Sequence, residues 1–340
     1  LHQRCSSTMD RTGPSTIFEL LFSGGQDPGH PALECPGYLP CTYRDLREQT
    51  TVVTRWLGAQ GLSRNSRVAL VAPAGPFTAA ALLGIMSGCT AIPLNPQGRI
   101  VEYQTALTSL RPDLLLVPEG CGSAASAAAE LEDIPVARLV PSPRMAGIFT
   151  LEPTAGDEAP DPLFSTPADT AIVFLTSGTT AAPKIVPFTQ ERLCRDVCRM
   201  EVYHFSRTGR HLHTMPFYHL AGIKGTLLAP LLAGGTVICP GDFIAPDFIR
   251  LLRTLHPTEY SAVPAMHQAI LREIRKVPED ELRPNSLRRI RSGSSMLPGT
   301  VREELERLLG APLIEGYAST EAGTITVNIP PRPGSVGLPV

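Results

Sequence analysis

The stretch Val68 to Gln97, in which no residue is charged, is the first guide to the fold. Pro73, Pro76, Pro93 and Pro96, with Gly75, Gly84 and Gly88, cut this run into pieces too short for a membrane span. It reads instead as a buried strand at Arg67–Val71, a small-residue helix at Phe77–Ser87 and a second strand at Ala91–Pro96. Strand, helix and strand at this spacing make a parallel unit with a crossover helix. The pattern continues through a helix at Val101–Leu110, a strand at Asp113–Val117 and an alanine-rich helix at Ser123–Glu132. Upstream, Thr42 is placed to cap a helix whose Leu46, Val53, Trp56 and Leu57 share one face. The first forty residues read as loosely ordered, with a short helix near Thr16–Phe22.

Leu151–Asp169 is acidic and proline-rich without apolar periodicity, so we read it as an exposed connector between subdomains at 1–165 and 166–340. Beyond it, helices are expected at Gln190–Val202, Gly222–Ala233, Phe243–Thr254 and Ala265–Arg275. Strands are expected at Ala171–Leu175, Gly235–Cys239 and Glu259–Pro264, with another leading up to Arg291. The expected fold class is α/β, with layered, doubly wound, mostly parallel sheets and flanking helices.

Composition narrows the function. A net charge of −2 supplies no basic field for nucleic acid and no polybasic membrane patch. The eight cysteines form no C-x-x-C, which points to structural thiols in a reducing, cytoplasmic setting. Leu1–Ser23 has no basic segment leading into an apolar one, and the chain opens without Met, as a piece of something longer would.

Chemistry concentrates in four stretches. In the first, the strand Ala171–Leu175 runs into Thr176, Ser177, Gly178, Thr179 and Thr180, with Lys184 just beyond Pro183. Hydroxyls and successive N–H groups around one glycine can cradle an anion, and a mobile ammonium can follow a phosphate. The same residues also suit a plain polar loop with a solvated lysine. No Walker loop occurs. In the second, Pro216-Phe-Tyr-His219-Leu-Ala-Gly222 sets a histidine among aromatics, and it contains no acid to pair a substrate ammonium. In the third, Val263 and His267 sit at a strand's C-terminal end, where open α/β sheets bind ligands, and Ser294, Ser295 and Met296 form another strand-to-loop turn. In the fourth, Glu315-Gly316-Tyr317-Ala318-Ser-Thr320-Glu321 offers a ring to stack on a purine, a hydroxyl for a phosphate and a carboxylate for Mg²⁺.

Thr-Ser-Gly-Thr-Thr-x-x-Pro-Lys at residues 176–184 resembles the phosphate signature of the adenylate-forming superfamily, which includes acyl-CoA synthetases, adenylation domains and luciferases. The resemblance extends to Thr42-Tyr-x-x-Leu46, the stretch from Ser87 to Pro96, Pro216…His219…Gly222, and Tyr317…Thr320-Glu321, where Ala318 replaces the usual glycine. It implies the N-terminal core of that fold, with ATP attacked by a carboxylate to give an acyl-adenylate. It places Thr176–Thr180 and Lys184 on the β- and γ-phosphates and Thr320 on the α-phosphate. Glu321 would hold Mg²⁺, while Ser294, Ser295, Met296, Gly316, Tyr317 and Ala318 lie at the adenine. His219, Gly222, Val263, His267 and Ser294 would line the acid pocket, with Lys184, Thr320, Glu321 and His219 as the catalytic set. A thiol of CoA or of a carrier protein's phosphopantetheine would take the acyl group.

Ser-Ala-Val-Pro-Ala-Met-His-Gln and Glu-Gly-Tyr-Ala-Ser-Thr-Glu look most like oxalate and short-acid CoA ligases, which implies a small or polar acid. Two alternatives stay open: a synthetase-module core that loads a carrier protein, and a nucleotide- or acyl-binding core with little turnover. The sequence stops just after Pro333-Gly-Ser-Val-Gly-Leu-Pro339, before the family's hinge and its lysine-bearing C-terminal domain, so the piece alone is expected to adenylate poorly.

Overall fold

The computed structural model describes residues 13–22, 26–153, 161–176, 184–282, 285–330, 332 and 334–340. In chain order its strands are β1 (Pro31–Glu34), β2 (Cys41–Thr42), β3 (Arg67–Val71), β4 (Thr90–Leu94), β5 (Leu114–Pro118), β6 (Val136–Pro141), β7 (Phe149–Glu152) and β8 (Thr170–Thr176). They continue with β9 (Lys184–Thr189), β10 (Arg210–Leu212), β11 (Thr236–Ile238), β12 (Glu259–Ala262), β13 (Arg289–Ser292), β14 (Leu313–Ser319), β15 (Gly323–Val327) and β16 (Leu338–Pro339).

Two sheets result. One has seven strands in the order β7-β6-β5-β3-β4-β8-β9, parallel in the middle with an antiparallel strand at each edge. The other has nine, in the order β16-β15-β14-β13-β12-β10-β11-β1-β2, parallel from β14 to β1. Helices Tyr43–Ala59 and Pro76–Gly88 lie in one continuous core that contains residues of both sheets. Thr42 does cap the first of these helices, accepting from the Asp45 N–H while Asp45 bonds back to the Thr42 N–H. The second is buried on nearly every side. Gly84 lets the two helices meet: a Cβ there would lie 2.6 Å from Val53 Cβ.

The uncharged run folds as the periodicity predicts, with β3 over Arg67–Val71 and the following helix and strand within two residues of expectation. The structure departs from the sequence reading at four points. β1 lies inside the supposedly loose first forty residues, because its extended form comes from pairing with β11 rather than from any local pattern. Lys184 opens strand β9, which returns antiparallel along β8. The sheets also do not divide at residue 165: β8 and β9 complete the seven-stranded sheet, whereas β1 and β2 belong to the nine-stranded one. Within the expected connector, Leu151 and Glu152 belong to β7.

Candidate active site

The C-terminal ends of β12, β13 and β14 open onto one cavity of about 430 Å³. That is a usual size for a small-molecule pocket, which spans roughly 300–1,000 Å³. Strand β14 runs directly into a tight turn at Thr320–Ala322 and back along β15, and Gly316, Tyr317, Ala318 and Thr320 of this segment border the cavity. Ser294, held at a positive φ of 71°, and Val263 come from the loops after β13 and β12. His219 lies on the rim, immediately before the helix that opens at Leu220. Partial burial holds its pKa below the ordinary histidine value, which leaves the ring neutral at pH 7.

Seven of the expected residues therefore share the cavity: His219, Val263, Ser294, Gly316, Tyr317, Ala318 and Thr320. Others stand elsewhere. His267 is fully buried behind the wall, between the Tyr260 hydroxyl and the Arg291 carbonyl, and burial pushes its pKa down to about 4. It is a core histidine, not a lining one. Gly222 has a packing role: a Cβ there would meet the Pro216 carbonyl oxygen, so only glycine lets the chain turn back over Pro216. Met296 is 86% exposed, and neither it nor Ser295 lines the cavity.

Ser177, Gly178, Thr179 and Thr180 lie outside the described residues. At the borders of that stretch, Thr176 has a buried hydroxyl without a partner among the described residues, and exposed Lys184 pairs with it across β8 and β9. Glu321 is exposed at the β14–β15 turn and joins no ion pair among the described residues. A single exposed carboxylate fits Mg²⁺, which takes one or two carboxylates and draws its remaining ligands from phosphate and water. Arg192, on the helix after β9, donates to the Glu321 carbonyl and lies over the Phe188 ring at 4.3 Å. It thereby ties the β8–β9 hairpin to the turn that bears Glu321.

The floor of the cavity contains residues that sequence reading passed over. Lys224 is 4% exposed and begins a π-helical turn, Lys224–Leu228, inside the helix from Leu220 to Leu232. Its ammonium donates to the Thr324 hydroxyl at 2.7 Å, and burial lowers its pKa to about 8. Arg291, 5% exposed, donates to the Gly225 carbonyl at 2.6 Å and lies over the rings of Tyr203 and Phe205. Its Nε has no partner among the described residues, nor do the hydroxyls of Ser261 and Ser292, which also line the cavity. Lys224 did leave a trace in the sequence: it is the one charged residue between His219 and Asp242.

The AMP-binding enzyme family model matches residues 23–340, nearly the whole chain. The chain belongs to the AMP-binding enzyme family. It is 33% identical to a probable CoA ligase of Humulus lupulus over 324 residues, covering 91% of this chain and 61% of that protein. It is 32% identical to an oxalate–CoA ligase of Arabidopsis thaliana, covering 92% and 63%. A sulfoacetate–CoA ligase of Cupriavidus necator is 29% identical, covering 97% and 66%. The chain thus spans about three-fifths of the length of the first two. Among solved structures, VinN superposes with a TM-score of 0.81 at 24% identity, over 97% of this chain and 82% of that one. ATP-bound MatB from Rhodopseudomonas palustris superposes with a TM-score of 0.78 at 23% identity, over 96% and 63%. These likenesses establish the family's large α/β core as the fold here.

Proposed function

We propose that this chain is the acid- and ATP-binding core of an acid–thiol ligase, which joins a small, non-amino carboxylic acid to AMP and then to CoA. One observation carries the reading: a single cavity is lined both by the stacking and hydroxyl groups of Tyr317 and Thr320 and by the His219 motif. An acyl-adenylate needs both sets of groups within reach of one molecule. The family and its CoA-ligase relatives support the same reaction, and CoA as the thiol follows from their names.

The acid's carboxylate is already a nucleophile, so the protein's work is positioning and charge neutralisation. Tyr317 offers its exposed ring to the purine, and Thr320 offers a hydroxyl to the α-phosphate. Lys184 and Thr176 frame the stretch 177–183, whose hydroxyls we assign to the β- and γ-phosphates. Glu321 would hold Mg²⁺, which would supply positive charge to neutralise the phosphates. His219 borders the acid side of the cavity, and burial there disfavours a charged ring that would compete for the substrate carboxylate.

Binding of a non-hydrolysable acyl-adenylate analogue tests the reading. It should compete with both ATP and free acid, and acid-dependent exchange of pyrophosphate into ATP should follow the same order of acids. An analogue displaced by ATP but by no carboxylic acid would leave only a nucleotide-binding core. In a longer form of the protein, CoA and a carrier-borne phosphopantetheine offered in parallel would identify the acceptor.

A further inference from the structure

The turn that bears Thr320 and Glu321 lies near the surface, yet its backbone is held from within. Arg192, on the helix Gln190–Cys198, donates to the Glu321 carbonyl. The guanidinium is itself fixed, lying over the Phe188 ring at 4.3 Å. One turn further along the same helix, buried Asp196 approaches Gly323, the first residue of β15. A Cβ on Gly323 would collide with the Asp196 carboxylate and lie 3.4 Å from the Lys224 ammonium, and the residue has a positive φ of 74°. Glycine is therefore what lets the chain leave the turn so close to both charges.

Asp196 and Lys224 compensate each other at that point. Both are buried, and the Asp196 carboxylate favours the charged lysine against the effect of burial. Lys224 donates to the Thr324 hydroxyl at 2.7 Å, and Thr324 in turn donates to Met200 Sδ at 3.5 Å. A buried pair of charges gives little net stability over apolar residues of similar volume. Its effect here is to fix where the chain enters β15. The supporting helix follows β9 directly, and β9 opens at Lys184 on the border of the stretch 177–183. One helix thus joins the stretch assigned to the β- and γ-phosphates to the turn assigned to the metal.

We propose that Arg192 and the Asp196–Lys224 pair are positioning residues, which hold the Thr320–Ala322 turn so that the Glu321 carboxylate is already in place for a nucleotide-bound Mg²⁺. This rests on the assignment of Glu321 to the metal above and adds the residues that support it. A carboxylate on an unrestrained turn would lose backbone freedom on binding, and that loss would weaken the metal's contribution. A turn fixed beforehand avoids it. Neither Arg192 nor Asp196 lines the cavity, so both act through the turn rather than on the ligand.

Calorimetry with a non-hydrolysable ATP analogue, with Mg²⁺ present and with Mg²⁺ chelated, gives the factor by which the metal strengthens binding. Arg192→Leu should lower that factor about fivefold, the scale of one hydrogen bond. An arginine that only attracts phosphate predicts the reverse, because losing a nearby cation makes binding depend more on the metal. Glu321→Gln should lower the factor at least as far. Adding Arg192→Leu to Glu321→Gln should lower it no further, since the arginine acts through the glutamate. Thr324→Val, which removes the partner of Lys224 on β15, should lower the factor about threefold. Thermal unfolding reports whether each variant is folded. A factor unchanged or raised in folded Arg192→Leu, or lowered again in the double variant, would overturn the positioning proposal and leave Glu321 as the metal residue. If Arg192→Leu does not fold, Thr324→Val decides: an unchanged factor overturns the proposal. No gain from Mg²⁺ in the wild type, or a factor unchanged in Glu321→Gln, would overturn the metal assignment and the proposal together.

Discussion

The two ends of the cavity are built in opposite ways. Around the proposed nucleotide site, Tyr317 on the cavity wall and Met296, Lys184 and Glu321 outside the lining are all exposed. On the cavity floor, Lys224, Arg291 and Thr324 are buried on a helix and two strands, held by hydrogen bonds and aromatic rings. The exposed end suits a ligand that brings its own charge, metal and water and must leave as pyrophosphate. The buried end suits a small acid recognised by a fixed arrangement, where selectivity comes from burial itself. Mutations should therefore cost folding energy at the acid end and mostly binding energy at the nucleotide end.

The largest effect is expected at Arg291. Arg291→Leu removes the buried one of the two arginines that act on buried Glu259 and should destabilise the protein by about 3–5 kcal/mol in denaturant unfolding. Lys184→Ala, also the loss of one positive charge, should change stability by less than about 0.5 kcal/mol. It should weaken ATP binding roughly tenfold and acid binding much less. Equal stability losses at the two sites would erase the contrast.

Gly222→Ala comes next. The clash with the Pro216 carbonyl cannot be relieved by a rotamer change, and a cost of about 1–3 kcal/mol in stability is expected, with ATP affinity nearly unchanged. Tyr317→Ala should do the reverse, removing about 1–3 kcal/mol of nucleotide binding with little effect on unfolding.

The pH dependence is smaller per group but has a definite sign. Burial lowers the pKa values of His211 and His267 to about 4 and that of His213 to about 3. Because the unfolded chain takes up these protons below about 6.5, stability should fall as pH drops from 6.5 towards 4. The limiting slope is about 1.4 kcal/mol per pH unit for each histidine.

The nucleotide end was legible in the sequence because its residues are contiguous: a strand, a hydroxyl run and a lysine, then Tyr317 to Glu321 within five positions. The acid floor was not, because Lys224, Arg291 and Thr324 come from three distant segments and each has an ordinary local role. Lys224 reads as a blemish in an apolar helix until the π turn and Thr324 are seen around it. His267 shows the opposite error. Its position at a strand end suggested a ligand contact, but the helix phase turns its ring into the core against Tyr260. The buried strands announced themselves through apolar runs, whereas β1, β9 and β15 take their form from partners in the sheet rather than from their own residues.

The position of β1 has a consequence for how the molecule is made. Leu33 sits beside Val237, a gap of 237 − 33 = 204 residues, whereas the seven-stranded sheet has its last strand by Thr189. As the ribosome delivers the chain, one layer can close early, while β1 waits for a partner just over two hundred residues behind it. Contacts this remote form slowly and leave sticky edges open in the interval, so nascent-chain capture by a holdase should peak before Ile238 emerges and drop sharply afterwards.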